Sequence, residues 1–405
     1  MVWWAERKQC DEACRIYDKF DVKEDRIFQS VNVMFNFGEA LEDPYDIRAL
    51  LKSGVNIFNV DRTILDDKLF KKIMTAIADS CLLSEKYPEP LEVWRPVTIA
   101  VTMSIKKPAN IEREVDLIIL KDVSKEEDVF DFKELNKDWN LPILIWISKY
   151  HFEYIINDLI QVSDGIILDH TYVCEKYCNE IIQLCKKKRK SVFCLKPEIW
   201  EDNTAYKGSK RKLFVIASEI VNVGADGIVV NGSTQTITYQ TEITRDIVAA
   251  LRLAEDGLNS EKEFEKMRKQ IEPPQMTPMT VAIAATHAAL RCRAAAIMIL
   301  TCTGKTAHLV SCCAPACHVL AITKYETVAK QMHLYRKVIP LLYQGDRASN
   351  WQKECRKRVL FGTKLGVETG LFREGAKLVV LAPAAEGAGY CDRVQIVTVP
   401  SRCEE

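Results

Sequence analysis

Short apolar runs alternate with longer amphipathic stretches along most of this chain. Between Met279 and Gln344 the runs Ile297 to Leu300, Val319 to Ile322 and Val338 to Leu342 have strand length, and the segments between them carry a helical period. That alternation predicts βαβ units and a small parallel sheet. Upstream, eight similar runs recur: Val31 to Phe37, Val55 to Val60, Val97 to Val101, Val115 to Leu120, Ile143 to Ile147, Gly165 to Leu168, Ser191 to Leu195 and Gly227 to Val230. Eight strands separated by helical segments predict an α/β fold with a (β/α)8 TIM barrel, in which the C-terminal strand ends carry the chemistry. The expected division is an N-terminal segment and barrel over 1–262, then a three-layer α/β domain over 263–405.

Composition narrows the classes. In 405 residues, 56 basic side chains balance 56 acidic ones, so nothing points to a nucleic-acid or membrane-surface partner. The KKKRK tract at 186–190 is read as the solvated face of a helix over 181–190. No apolar run reaches the roughly 18 residues of a membrane span, and MVWWAERKQCDEAC is not read as a signal peptide. The expected location is cytoplasmic. Fifteen cysteines lie scattered, several inside apolar strands as Cys194 is, which suits free buried thiols. Cys312, Cys313, Cys317 and His318 lack zinc-site spacing and run straight into a strand, so they are read as structural.

After the first C-terminal strand comes Thr301-Cys302-Thr303-Gly304-Lys305-Thr306. A Gly-bearing turn at a helix start exposes backbone N–H groups that suit an anion. It is not a P-loop, because Ile299 occupies the upstream glycine position. The LTCTGKTAHLV stretch, the following AIT, the QMHLYR segment from Gln331, Gly366 to Gly375 and the closing VQIVTVP resemble the C-terminal domain of pyruvate kinase. DPYDIRALLKSGVNIFNV, Arg95-Pro96-Val97, Ser163-Asp164-Gly165 and Gly224-Ala225-Asp226-Gly227 carry the likeness through the barrel, over about residues 30 to 400.

The resemblance implies a β-rich lid domain between barrel strands three and four. Only thirteen residues separate Val101 from Val115, room for a loop and no domain. Losing a lid removes water exclusion and part of a nucleotide site. Phosphoryl transfer to ADP requires divalent metal on carboxylates and a lysine at the moving phosphoryl group. Placed on this chain, the family's catalytic positions fall on Asn59, Thr102, Trp146 and Lys196. Its metal positions fall on Asp61, Thr63, Ser148 and Tyr172. Around Thr102 no aspartate appears, whether the match runs through Met103 and Ser104 or through Ser104 and Ile105. Lys149 lies three residues from 146 and points to the opposite face of a strand. The His170-Thr171 and Asn231 to Thr234 segments likewise replace the family's Arg-Gly and Glu-bearing turns.

The expected protein is therefore a pseudoenzyme with a scaffold, oligomerisation or regulatory role and no cofactor, its mouth plugged by Trp146 and Tyr172. The alternative is a working pyruvate kinase of glycolysis using Mg and K. A third reading gives the barrel a new small ligand lined by Lys196, Asp61 and His170. The resemblance also implies a sugar bisphosphate effector site made by Thr301, Thr303, Gly304, Lys305, Thr306, Trp351, Arg358, Gly387 and Gly389. Finally it implies self-assembly, or assembly with a catalytic pyruvate kinase paralogue, through the C-terminal domain.

Overall fold

The computed structural model describes residues 28–37, 43–86, 96–106, 115–147, 153–170, 175–196, 210–232 and 236–400. The chain divides into two compact units, one formed by residues 1–80, 100–112 and 118–258, the other by residues 81–99, 113–117 and 259–405.

Eight parallel strands close a barrel: β1 (Asn32–Asn36), β2 (Ile57–Asp61), β3 (Thr98–Ser104), β4 (Leu117–Lys121), β5 (Ile143–Ile147), β6 (Gly165–Asp169), β7 (Ser191–Leu195) and β8 (Gly227–Asn231). Closure is made by β1 on β8, with Asn32 opposite Gly227 and Asn36 opposite Asn231. Nearly every strand residue is buried, because a parallel barrel is covered on both faces. Gly227 is required where it stands: a Cβ there would lie 2.1 Å from the Phe193 ring. Twelve residues join β3 to β4, confirming the absence of an inserted lid domain.

Local chemistry sets the helix ends. Helix α1 (Pro44–Ser53) starts with the Asp43 side chain accepting from the Tyr45 N–H and stops at Gly54, whose φ of 112° favours glycine. Around the barrel follow α2 (Asp67–Lys86), α3 (Glu126–Leu135), α4 (Glu153–Val162), α5 (Glu175–Lys187), α6 (Lys210–Val223) and α7 (Ile237–Asp256). The KKKRK tract is more engaged than a solvated face. Lys186 pairs with Asp226 at 2.6 Å. Lys188 donates to the Asn157 carbonyl and Lys190 to the Ser163 carbonyl. Lys190, with Lys133 on the Val162 carbonyl, places two ammonium groups at the electronegative end of α4.

In the second unit, α8 (Ser260–Gln270) and α9 (Thr277–Cys292) lead into β9 (Ala296–Leu300), α10 (Lys305–Cys312), β10 (His318–Thr323), α11 (Glu326–Gln331), β11 (Val338–Leu342), α12 (Trp351–Glu368), β12 (Lys377–Ala382) and β13 (Arg393–Thr398). The sheet order is β11-β10-β9-β12-β13. Helix α9 begins ahead of the small-residue stretch at Thr280, with a proline in its first turn. Its Ala282, Ala285 and Ala289 lie against Ile297, Ile299, Val379 and Leu381 on one sheet face. On the other face Gly362 of α12 sits so close that an added Cβ would come within 2.7 Å of Ile322. Three layers result. The three strands expected to be parallel are so, β10 lying between β9 and β11, and the structure adds β12, parallel to β9, and β13, which runs antiparallel to β12. Ten residues without a helix join them, too few for the crossover that parallel neighbours need.

Candidate functional site

The barrel strands end on polar residues at one mouth: Asn36, Asp61, Ser104, Lys121, Asp169 and Asn231 are the last residues of β1, β2, β3, β4, β6 and β8. Two networks join all of these but Ser104, which donates to Asp122. The first is a chain of amides across β3, β2, β1 and β8. Thr102 Oγ1 donates to Asn59 Oδ1 at 2.9 Å, Asn59 Nδ2 to Asn36 Oδ1 at 2.8 Å, and Asn36 Nδ2 to Asn231 Oδ1 at 2.7 Å. Thr102 and Asn59 are fully buried, so these bonds satisfy groups that would otherwise stand desolvated. The second network is ionic and aromatic. Asp61 Oδ1 accepts from the Thr63 N–H at 2.9 Å and the Thr63 hydroxyl at 2.6 Å. Its Oδ2 lies 2.6 Å from Lys121 Nζ. That ammonium stands 4.5 Å from the centroid of the Trp146 ring. The indole Nε1 in turn points at Asp169 Oδ2, 3.4 Å away.

Beyond these, Lys196 pairs with Glu219 at 3.0 Å. His170 follows β6, and its Nε2 is buried without a hydrogen-bond partner among the described residues. Burial, with the neighbouring Lys196 charge, pushes the imidazole pKa down to about 3, so the ring is neutral at pH 7. Among the described residues no group of three or more His, Cys, Asp or Glu side chains could hold a metal ion.

A second cluster lies at the C-terminal edge of the five-stranded sheet, the edge where open α/β sheets place ligands. The Thr301–Thr306 turn leaves β9, with Gly304 at φ 74° starting α10. Its hydroxyls are engaged internally: Thr301 Oγ1 accepts from the Gly304 N–H, Thr303 Oγ1 from the Lys305 N–H, and Thr306 Oγ1 from the Cys391 N–H. Trp351 Nε1 donates to the Pro383 carbonyl, fixing the start of α12 against the segment that carries Gly387 and Gly389. Arg358 is buried between the Trp351 and Tyr343 rings, 5.6 and 5.9 Å from their centroids. Its Nε donates to Glu354 Oε1 at 2.9 Å, and Lys324 Nζ reaches the same oxygen at 2.8 Å. Glu354 Oε2 accepts from the Ala348 N–H. Burial alone would raise the Glu354 pKa, but the Lys324 ammonium, the Ala348 N–H and the Arg358 guanidinium outweigh it and hold the carboxyl at about 2.

The family described as "Pyruvate kinase, alpha/beta domain" matches residues 279–397, which contain this sheet except for its last residue, Thr398. Pyruvate kinase PKLR of Rattus norvegicus is 27% identical over 302 residues, covering 71% of this chain and 52% of that protein. The Homo sapiens PKLR is 26% identical with the same coverage. The pyruvate kinase of Candida albicans is 25% identical over 301 residues, 71% of this chain and 59% of its own length. The chain is similar to pyruvate kinases over 71% of its length, and its residues 279–397 match that family's alpha/beta domain. It spans about half the length of the curated relatives it matches.

Within that family frame, the position implied for a catalytic lysine is Trp146, half-buried and engaged by Lys121 and Asp169. Asn59 and Thr102 lie in the amide chain, and Asp61 and Thr63 form one unit closed by Lys121. Ser148, Lys149, Thr171, Tyr172, Ser233 and Thr234 lie outside the described residues. Of the residues proposed to line a new ligand pocket, each has its own surroundings: Asp61 with Lys121, Lys196 with Glu219, and His170 beside Lys196. In the C-terminal domain the structure joins Thr306 to Cys391 and Trp351 to Pro383, while Arg358 turns to Glu354.

Reasoning from sequence missed Lys121, Asp169, Lys324, Tyr343 and Glu354. Two had a legible signal. Lys121 ends the apolar run beginning at Val115, the place where a barrel strand presents its chemistry. Glu354 precedes Arg358 by four residues on one helix, a spacing that pairs side chains. Asp169 and Lys324 also end strand-length runs, yet only the closed sheets reveal their partners.

Proposed function

We propose that this chain is a pyruvate-kinase-family scaffold that does not transfer phosphoryl groups. The observation that carries the reading is the barrel mouth. Where the family resemblance implies a lysine there is an indole, and the nearby carboxylate of Asp61 is already neutralised by Lys121 at 2.6 Å. A divalent ion prefers about six oxygen ligands. Asp61 and Thr63 supply three side-chain oxygens, two of them already bonded to each other, and the Lys121 ammonium stands at the third. The described mouth residues do not fit such an ion. Losing one electrostatic group at a phosphoryl-transfer site costs about 10²–10³ in rate, and several are replaced here together. The deciding experiment is a coupled assay with phosphoenolpyruvate, ADP, Mg²⁺ and K⁺ on the purified chain. Turnover well above a heat-inactivated control establishes the active enzyme of glycolysis and removes the scaffold reading.

The role we assign is cytosolic and works through assembly, with a second copy or with a catalytic relative, by way of the C-terminal domain. Support comes from β13, the terminal strand of the sheet, which exposes Val394 and Ile396 and carries neither proline nor acidic residues to discourage pairing. Light scattering alone and with an active pyruvate kinase tests this, and a monomer in both mixtures overturns it. A sugar bisphosphate in the same domain is a second reading, favoured by Arg358, Lys324 and the glycine-started helix at Lys305. Calorimetry with fructose 1,6-bisphosphate tests it. No heat, or a titration unchanged by Arg358→Ala, ends it.

A further inference from the structure

Two helices carry an exposed stripe of a single sign. Helix α3 buries Val129 and Phe132, which turns Glu127, Asp131 and Glu134 to solvent together with Phe130, 50% exposed. Its one cation, Lys133, lies off that stripe and donates to the Val162 carbonyl. Helix α12 buries Glu354 and Arg358, which turns Lys353, Arg356, Lys357 and Lys364 outward around Leu360, 57% exposed. Counted from Glu127 and from Lys353, both stripes use positions i, i+3, i+4 and i+7, one side of a helix. Like charges four residues apart destabilise a helix, and Glu127 with Asp131 and Lys353 with Lys357 are such pairs. Local stability therefore does not account for them. Glu127, Asp131, Glu134, Lys353, Arg356 and Lys357 have no ion-pair partner among the described residues, while Lys364 meets Glu368 at 3.9 Å. We propose that the basic stripe of α12 on one copy of the chain docks on the acidic stripe of α3 on a second copy.

Opposite signs supply the complementarity, and Phe130 and Leu360 give each stripe an apolar surface that sheds water on docking. With 56 basic and 56 acidic side chains, the chain has no net charge to keep copies apart. The patch on one copy differs from the patch it meets, so the contact is heterologous and builds rings or open chains, not a two-fold dimer. One helix on another covers less than the roughly 800 Å² per partner of a standard interface, so association is weak and depends on protein concentration. This contact is distinct from a pairing of β13 edges, which rests on backbone hydrogen bonds and does not need these charges. Assembly by one route can therefore fail while the other holds.

The test is charge reversal, read by light scattering and sedimentation of the full chain from about 10 to about 500 μM and from about 0.05 to about 0.5 M NaCl. At low salt the mean mass is expected to rise with concentration past that of a dimer, and to fall back at high salt, where screening shortens the reach of each charge. One variant carries Lys353→Glu, Arg356→Glu and Lys357→Glu, the other Glu127→Lys, Asp131→Lys and Glu134→Lys. Each sets like charges opposite one another and is expected to weaken association at least about tenfold. Mixing the two reversed chains pairs opposite signs again at both faces, so the mixture is expected to assemble where neither chain does alone. If a triple reversal does not fold, Lys357→Glu and Asp131→Lys serve in the same mixing design. A wild-type chain whose mass does not rise with concentration overturns the assignment, whether or not its α12 face adsorbs to phosphatidylserine vesicles. Reversed chains that assemble like wild type, or a mixture that stays as small as its components, also overturn it. A salt-resistant dimer that neither reversal alters overturns it too, and leaves pairing through β13 standing.

Discussion

Replacing Glu354 by glutamine is expected to destabilise the C-terminal domain more than removing the arginine it holds. The Glu354 and Arg358 side chains are 4% and 7% exposed, so neither charge is spread by water. Glu354→Gln keeps shape and an acceptor oxygen but leaves the guanidinium buried without a counter-charge, a change that costs about 3–5 kcal/mol. Lys324 is 26% exposed and can turn toward solvent, so its lost partner adds about 0–1 kcal/mol. Arg358→Met is different. Glu354 then still has the Lys324 ammonium and the Ala348 N–H, so the loss is that of one charge-assisted hydrogen bond, about 1.5–3 kcal/mol. With both substitutions no buried charge is stranded, and the combined cost should fall short of the sum by about 0.5–3 kcal/mol. Urea unfolding of the full chain, followed by far-ultraviolet circular dichroism, measures all four proteins, with each transition fitted separately if the two units unfold apart. If Arg358→Met costs more than Glu354→Gln, or if the two effects simply add, Glu354 is not the group that makes a buried Arg358 tolerable.

Further outcomes follow from other sites. The His170 imidazole, held near pKa 3 against an ordinary 6.5, stays neutral in the fold while the unfolded chain takes up a proton. Stability should therefore fall as pH drops from 6.5 toward 3, by at most about 1.4 kcal/mol per pH unit, and be complete above 6.5. In acid titrations of urea midpoints His170→Phe should flatten that limb, and an unchanged slope refutes the assignment. Gly227→Ala should lower the melting temperature sharply, since its Cβ would sit 2.1 Å from the fully buried Phe193 ring. An alanine there with unaltered melting would show that the ring has room to move. Burial pushes the Cys185 and Cys194 thiols up to about 12, so iodoacetamide at pH 8 should leave both unmodified in the fold and alkylate them in urea, as read by peptide mass.

Much of the architecture was legible along the chain. A parallel strand is covered on both faces, so its residues read as an uninterrupted apolar run, and the eight barrel runs match strands within two or three residues at either end. The missing lid was equally plain, since a separation of about a dozen residues cannot hold a domain. The antiparallel β13 was not legible, because direction depends on what lies beside a strand. The position implied on the fifth strand comes from counting back from Ser163-Asp164-Gly165, and Trp146 stands one residue before the end of β5. Its surroundings were another matter. Trp146 read as a plug, and the structure adds that its indole is one wall around an ammonium supplied from a different strand.

Apolar spacing by itself determined that this chain makes a barrel and a second α/β sheet, because burying those runs is what lowers its free energy most. It also determined which residue types stand at the strand ends. Only the tertiary structure decided who neutralises whom. Asp61 and Lys121 lie sixty residues apart, and Thr102, Asn59, Asn36 and Asn231 come from four strands. The reason is geometric: an ion pair or amide chain requires contact distances near 3 Å. No periodicity along a chain specifies such distances until the sheet has closed.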